Sequence, residues 1–391
     1  VNFRPEIKPN IAAPDWGKIR SRFPVLENKT YLNSCSYGAL AIDVKDAFKR
    51  YLRDREEQGT DWNYWVERNE SVRSAVATFL GADPDEIAIT TSASASINSI
   101  ASAMDFTGSR NKVVISSFEF PTNAQIWYAQ ELRGAEVVRV PDRDGYIPAE
   151  DFESAIDEDT LLVAVTHVCF HNGAKLDIPA ITEIAKRKGA MMLVDGFQGL
   201  GTFEFDVRNA GVDFVVGGML KYLLGSAGIA FLYVRDELIE KLVPTVTGWF
   251  AQADIFGMDN TRYDPSPTAR RFETGTPPVP NSYAAEAGLK IMKEVGLSAI
   301  EYRINEITAA IIAEAKRAGY TLAVPDDPKR HGALITLRTH DEDALVQALE
   351  NQGIITSCRA GNLRISPHFY NNSDDIDVLF GALQQYKHLL L

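Results

Sequence analysis

The sequence predicts an α/β protein: a doubly wound, mostly parallel sheet in a large domain, followed by a small C-terminal α+β domain. Three observations carry that prediction. Short runs rich in Val and Ile alternate with helical stretches from Thr30 to about Val234, the pattern of βα units. Two of those runs lead into a charged group beside glycine, Asp195 just before Gly196 and Lys221 shortly after Gly217-Gly218. After a long irregular stretch the pattern changes to a long helix and then short alternating elements.

The strands expected in the large domain are Ile87 to Thr91, Lys112 to Ser116, Glu136 to Val140, Leu161 to Val165, Met191 to Asp195, Phe214 to Gly217 and Ile229 to Val234. Helices are expected between them at Asn98 to Met104, Thr122 to Arg133, Pro179 to Lys188 and Glu237 to Val243. Their spacing is too irregular for an eight-fold barrel, so an open sheet is favoured. Trp249 to Pro280 reads as a functional loop or linker. A helix from Ser282 to Val295, continuing as Leu297 to Ala318, introduces the C-terminal part. There Gly332 to Arg338, Glu342 to Asn351, Ile354 to Arg359, Asn362 to Ser366 and Asp374 to Leu389 read strand, helix, strand, strand, helix. The expected organisation is an N-terminal arm at 1–25, a large domain at 26–280 and a small domain at 281–391.

Composition narrows the function. The 391 residues are 45% hydrophobic, enough for a real core, and 40 Lys+Arg against 53 Asp+Glu leave a formal charge of −13. An acidic surface repels polyanions, so neither nucleic acid nor an anionic membrane is an expected partner. Cys35, Cys169 and Cys358 lack the paired spacing of a zinc site, so no metal is expected. The proline-rich stretch from Val1 to Asp15 has no signal-peptide pattern, and no run approaches the roughly 18 apolar residues of a membrane span. A soluble cytoplasmic protein is the expectation.

The chemistry gathers at strand ends. Asp195 ends a strand and precedes Gly196, which aims it into the crevice where open α/β sheets bind ligands; it also reads as a helix-capping turn residue. Lys221 follows Gly217-Gly218-Met219-Leu220 and precedes Leu223 and Leu224. Such surroundings lower a lysine pKa and favour the neutral amine that forms a Schiff base, although a surface lysine is the plainer reading. Together the two supply what pyridoxal 5'-phosphate needs: an amine to link it and a carboxylate to keep its pyridine nitrogen protonated. Thr90 to Ser96, hydroxyl-rich and just before a helix placed from Ile97, suits an anion or serves as an ordinary cap.

From Tyr31 to Leu389 the sequence resembles the class V aminotransferase superfamily of pyridoxal phosphate enzymes. Asp195 and Gln198 match the Asp-x-x-Gln motif of cysteine desulfurases and C–S lyases, and Arg271-Phe272-Glu273-Thr274-Gly275-Thr276 matches a second shared motif. Asn362 to Tyr370 is similar to the isopenicillin epimerase and C–S lyase branch. Phe120-Pro121-Thr122, Thr166-His167-Val168, Gly248-Trp249-Phe250 and Gly275-Thr276-Pro277-Pro278 are similar to kynureninases.

The resemblance implies that Lys221 forms the Schiff base, Asp195 pairs with the pyridine nitrogen, and Gln198 and His167 lie near the phenolic oxygen. Phe120 would stack on the ring, or else belong to the core. Ala93, Ser94 and Trp249 would hold the phosphate, with Thr276 supplied by the second subunit of a homodimer. Arg364 would clamp the carboxylate of a small amino-acid substrate, being otherwise a surface residue. The segment Asn33 to Gly38, with Ser36 and Tyr37, would close over that carboxylate, and His171, Asn172, Tyr37 and Trp249 are pocket candidates. Gly218 and Leu220 depart from the family, which commonly has Ser, and His or Tyr, at those places. Four reactions compete. Desulfuration is disfavoured because Arg359 to Arg364 is too tight for a cysteine-bearing loop, with Cys358 expected in the core. Kynureninase-type cleavage conflicts with Leu220, Gln198 and His171-Asn172-Gly173. β-Elimination in the C–S lyase manner leads, with transamination next; a kynureninase-type hydrolase, an epimerase and a silent binding protein are further alternatives.

Overall fold

The computed structural model describes residues 14–391. Its centre is a seven-stranded sheet in the order Ile87–Thr90, Ala230–Val234, Phe214–Gly218, Met191–Asp195, Thr160–Thr166, Lys112–Ser116, Glu136–Val140. Only Ala230–Val234 runs antiparallel to its neighbours. The apolar runs are continuous rather than alternating because both faces are covered, as parallel strands require. On one face Val72, Val76 and Leu80 join Ile178, Ile181 and Ile184 against Val163, Val165 and Val194. On the other, Ile97, Ile100, Ile126 and Trp127 pack on Val113, Leu162 and Val216. Each fully buried aliphatic side chain contributes about 1.5–3 kcal/mol of transfer free energy, so these two layers fix the strand order.

The C-terminal part is a three-stranded antiparallel sheet, Ser357–Arg359, Asn362–Ile365, Ile335–Arg338. The helices Leu297–Ala318, Glu342–Asn351 and Ser373–Gln385 close its core around Ile335, Leu349, Leu363 and Leu379. Leu32 sits in that same core, and Thr30–Tyr31 pairs in parallel with Ile354–Ile355. This pairing splits the strand expected over 354–359: its first half serves the N-terminal segment, its second the small sheet. Arg359 and Asn362 face each other across Ala360 and Gly361, both at positive φ (54° and 78°), a two-residue hairpin turn.

Several boundaries differ from expectation. The helix placed from Ile97 begins at Ala93, because Ser92 caps it by accepting from Ala95 N at 3.1 Å. The helix expected at Glu237 to Val243 is only Asp236–Ile239. Two helices unforeseen in the sequence, Ile42–Gln58 and Trp62–Leu80, pack on Val279–Val295. Among the described residues no helix is long and apolar enough to cross a membrane.

Candidate active site

Six strands run the same way, so their C-terminal ends share one edge of the sheet, where Thr90, Ser116, Thr166, Asp195 and Gly218 stand. Asp195 is buried; its carboxylate accepts from Phe197 N at 2.9 Å, and burial raises its pKa against the opposing pull of Lys221. Lys221 follows the adjacent strand. Burial pushes its ammonium down to about 8, with Cys35 and Asp195 pulling the other way.

Lys221 is held by a close crossing of chains. Gly38 N donates to Leu220 O at 2.8 Å, and a Cβ at Gly38 would collide with the Lys221 carbonyl. Glycine is thus required where the Asn33 to Gly38 segment runs over the lysine. Nζ of Lys221 lies 4.5 Å from the Phe197 ring centroid and 5.9 Å from that of Phe120. Phe120 is 46% exposed, packs edge-on against Phe170 at 5.1 Å, and precedes the helix Pro121–Gln130. It is therefore no core residue: an aromatic face is left open beside the amine. The glycine at 218 has a physical reason as well, since any Cβ there would enter the Phe197 ring.

Arg364 lies in the strand Asn362–Ile365 and is 5% exposed. Its Nε donates to Ser357 Oγ at 3.1 Å, Nη1 to Phe170 O at 3.0 Å and Nη2 to Ser36 Oγ at 3.1 Å. Among the described residues no carboxylate lies within 4.0 Å of it, while fellow buried Arg73 pairs with Glu273 at 2.7 Å. A guanidinium that is buried, oriented and without an anion is a receptor for one.

The helix Ala93–Ser102 opens toward the same edge with Ser94 in its first turn, where backbone N–H groups lack intrahelical partners. Ser94 Oγ lies 3.2 Å from Oγ1 of Thr122, in the first turn of Pro121–Gln130. Trp249 packs edge-on against Trp62 at 5.6 Å and Phe250 at 4.5 Å; Thr276 is exposed on the loop after Ala269–Phe272. Gln198 is buried: Nε2 donates to Cys35 O at 3.2 Å and Oε1 has no partner among the described residues.

Other candidates are placed differently. The backbone N–H of His167 donates to Asp195 O at 2.9 Å, but its ring turns away, 4.9 Å from Phe203 and 5.1 Å from Phe205. It is not brought to the Gln198 side chain. Asn172 is consumed by the backbone, donating to Gly145 O at 2.8 Å and accepting from Ala174 N at 3.0 Å, so its amide is not open to a substrate. His171 is half-buried beside Phe118 and Phe170, and burial lowers its pKa. Tyr37 is exposed, its hydroxyl accepting from Ala227 N at 2.9 Å. Cys358 is half-buried and outside the core, donating to Asp343 at 3.3 Å; burial and that carboxylate push its thiol up to about 11.

Sequence reasoning missed Ser357 and the Phe170 carbonyl, which aim Arg364, and it missed Glu119. That buried carboxylate accepts from Ser116 Oγ at 2.5 Å, Thr166 N at 3.0 Å and Asn123 Nδ2 at 2.6 Å, tying together two strand ends. Burial pushes it up to about 7. The available signal was a carboxylate standing three residues beyond a strand, just before Phe120-Pro121.

A lysine and a carboxylate on adjacent strand ends, an open helix start and a buried arginine meet at one edge, and a family model described as "Aminotransferase class-V" matches residues 46–379. The chain belongs to the class V aminotransferases. It is 36% identical to "Uncharacterized aminotransferase YcbU" of Bacillus subtilis, over 91% of this chain and 94% of that protein. It is 27% identical to a kynureninase of Pseudomonas fluorescens, over 87% and 84% of the two chains. A probable cysteine desulfurase of Methanothermobacter thermautotrophicus is also 27% identical, over 94% and 97%. Among solved structures, the apo cysteine desulfurase of Thermococcus onnurineus superposes with a TM-score of 0.87 at 22% identity, covering 97% of this chain and 100% of that one. The cystine C–S lyase C-DES superposes with a TM-score of 0.85 at 21% identity, over 92% and 98%. At such identities these two likenesses show the fold.

As a class V aminotransferase the chain is a pyridoxal phosphate-dependent enzyme, and its residues fit that cofactor. The donor set offers an amine at Lys221, a buried carboxylate at Asp195, an unpartnered amide oxygen at Gln198 and an open aromatic face at Phe120. Each lies on the strand-end edge or the loops that follow it.

Proposed function

We propose that this class V aminotransferase is a lyase that eliminates a β-substituent, such as a thiol, from a small α-amino acid. The observation that carries the reading is the poverty of titratable groups around Lys221. Among the described residues Cys35, Asp195 and Arg364 are the charged or titratable groups that act on its charge, and its ring neighbours are Phe120 and Phe197. Elimination asks for one base and a departing group that is itself stable. Epimerisation needs a second base, and neither ring beside the amine, Phe120 or Phe197, can act as one.

Pyridoxal phosphate, when bound, supplies the electron sink that stabilises negative charge at the substrate's α-carbon. Lys221 supplies the amine that would attach the cofactor, and once freed it is placed to take the α-proton, its lowered pKa leaving a large neutral fraction near pH 8. Asp195, buried at the adjacent strand end, would keep positive charge on the pyridine nitrogen. Arg364 receives the substrate carboxylate and Ser36 and Ser357 keep its guanidinium in plane. Phe197 and Phe120 set apolar rings beside the amine. Ser94, Thr122 and the first N–H groups of Ala93–Ser102 are the phosphate anchor we favour. Thr276 is exposed, which leaves it free to complete the site of a second subunit in a homodimer.

The hairpin Arg359 to Asn362 and the raised thiol of Cys358 speak against a persulfide-carrying desulfurase. A second reading, transamination, is favoured by the likeness to the relative named as an aminotransferase. It would use the same residues, with Lys221 again the group that moves the proton. Incubation with a panel of amino acids separates the two. Keto-acid formation with loss of a β-substituent and no added keto acid supports elimination; strict dependence on an added keto acid overturns it.

A further inference from the structure

Behind the Asp195 edge the structure has a second concavity, which the chemistry above leaves unused. A cavity of about 820 Å³ opens where the end of the Thr160–Thr166 strand meets the 203–206 loop, the Leu297–Ala318 helix and the 327–330 loop. Its floor is the imidazole of His167, 6% exposed, with Nδ1 lacking any partner among the described residues. Burial and the nearby Lys175 ammonium push that ring down to about 3, so it is neutral and offers a nitrogen for a hydrogen bond. Beside it the ammonium of Lys175 lies 4.7 Å from the Phe203 ring centroid. Among the described residues no carboxylate comes within 4.0 Å of that ammonium, although Glu301, Asp177 and Asp327 act on it from farther off. Phe203 and Phe205 flank His167 and give the cavity an apolar wall.

Three requirements on a ligand follow. A half-buried cation without an ion pair among the described residues, next to an unpartnered imidazole, asks for one carboxylate. Around the mouth Glu150, Asp177, Glu204, Asp206, Glu301 and Asp327 outnumber Lys329 and Arg330, which disfavours a polyanion and receives an ammonium. The aromatic wall takes a flat apolar body. We propose that this cavity is a second binding site, distinct from the Lys221 site, for a small amino-acid zwitterion with an aromatic or bulky apolar side chain. The bonds from His167 N to Asp195 O, 2.9 Å, and from Leu176 N to His167 O, 2.9 Å, put its floor one peptide from the Asp195 strand end. The inference does not depend on which reaction the enzyme performs.

The test is isothermal titration calorimetry of the cofactor-loaded protein with L-phenylalanine, 3-phenylpropionate, phenethylamine and inorganic phosphate as probes. The site predicts L-phenylalanine binding that survives in Arg364→Ala, falls about tenfold or more in Lys175→Met and in Phe203→Ala, and recovers in Lys175→Arg. It also predicts that 3-phenylpropionate binds more tightly than phenethylamine. Unchanged thermal midpoints show that the variants are folded, and Phe203→Ala serves if Lys175→Met is not. Binding that disappears in Arg364→Ala but persists in Lys175→Met places the ligand at the other site and overturns the proposal. So does phosphate binding as tightly as L-phenylalanine, or heat from none of the probes.

Discussion

Replacing Arg364 by alanine tests the most specific feature of the site, a buried guanidinium without an anion. Of its five N–H donors, three are used by Ser357, Phe170 and Ser36, leaving two for a ligand carboxylate. Hydrogen bonds between charged groups contribute about 1.5–3 kcal/mol each, and at 5% exposure the screening by water is slight. The lower figure for two bonds gives about 3 kcal/mol, or roughly 150-fold in affinity. The assay titrates the cofactor-loaded enzyme with an amino acid and with the matching amine that lacks the carboxylate, following the cofactor absorbance. The wild type should prefer the amino acid by about two orders of magnitude. Arg364→Ala should lose that preference while binding the amine as before, and Arg364→Lys, which keeps charge but not the fork, should fall between. A preference that persists unchanged in Arg364→Ala would show that the carboxylate is held elsewhere.

Three further outcomes are expected. Arg73→Met alone should destabilise the protein by about 3–5 kcal/mol in denaturant unfolding, since it strands Glu273 in the core. The double variant with Glu273→Gln should cost less than the two singles summed, and strict additivity would contradict the pairing. Because burial lowers the Lys221 pKa to about 8, its neutral fraction grows as pH rises through 8. The rate of cofactor capture by the apo-protein should therefore climb between about pH 7 and 9 and level off above; a climb centred near the ordinary lysine value of 10.5 would contradict the buried placement. Cys358→Ala should leave turnover within about twofold of wild type, because its thiol is raised to about 11 and stands on a tight hairpin. A collapse of activity would reopen persulfide chemistry.

What was legible in the sequence followed from how strongly local pattern is coupled to place. Continuous Val and Ile runs mark buried parallel strands, so every strand of the large sheet was located, and Asp195 and Lys221 could be put at one edge from their position after those runs. The helix Ile42–Gln58 was missed because charged residues crowd its sequence, and Trp62–Leu80 because its buried face mixes Asn69 and Arg73 with Val72, Val76 and Leu80. The helix start at Ala93 turned on a single serine cap, a detail that the surrounding serines conceal. His167 and Asn172 show the limit more plainly. Position along the chain put both near the site, yet one side-chain rotation sends the His167 ring to Phe203, and Asn172 is taken up by Gly145 and Ala174. Motif spacing carries backbone position, not side-chain direction. Glu119 and Phe197 stayed unread for the converse reason: each acts through contacts with residues distant in sequence, Thr166 and Gly218.

The covalent role of Lys221 is settled most directly by the absorption spectrum of purified protein after addition of pyridoxal phosphate and removal of the unbound excess. The wild type should carry a band at about 410 to 430 nm, the signature of a lysine-linked cofactor, and Lys221→Ala should lack it. A band retained in Lys221→Ala, or none in the wild type, would contradict the assignment of Lys221 as the residue that attaches the cofactor.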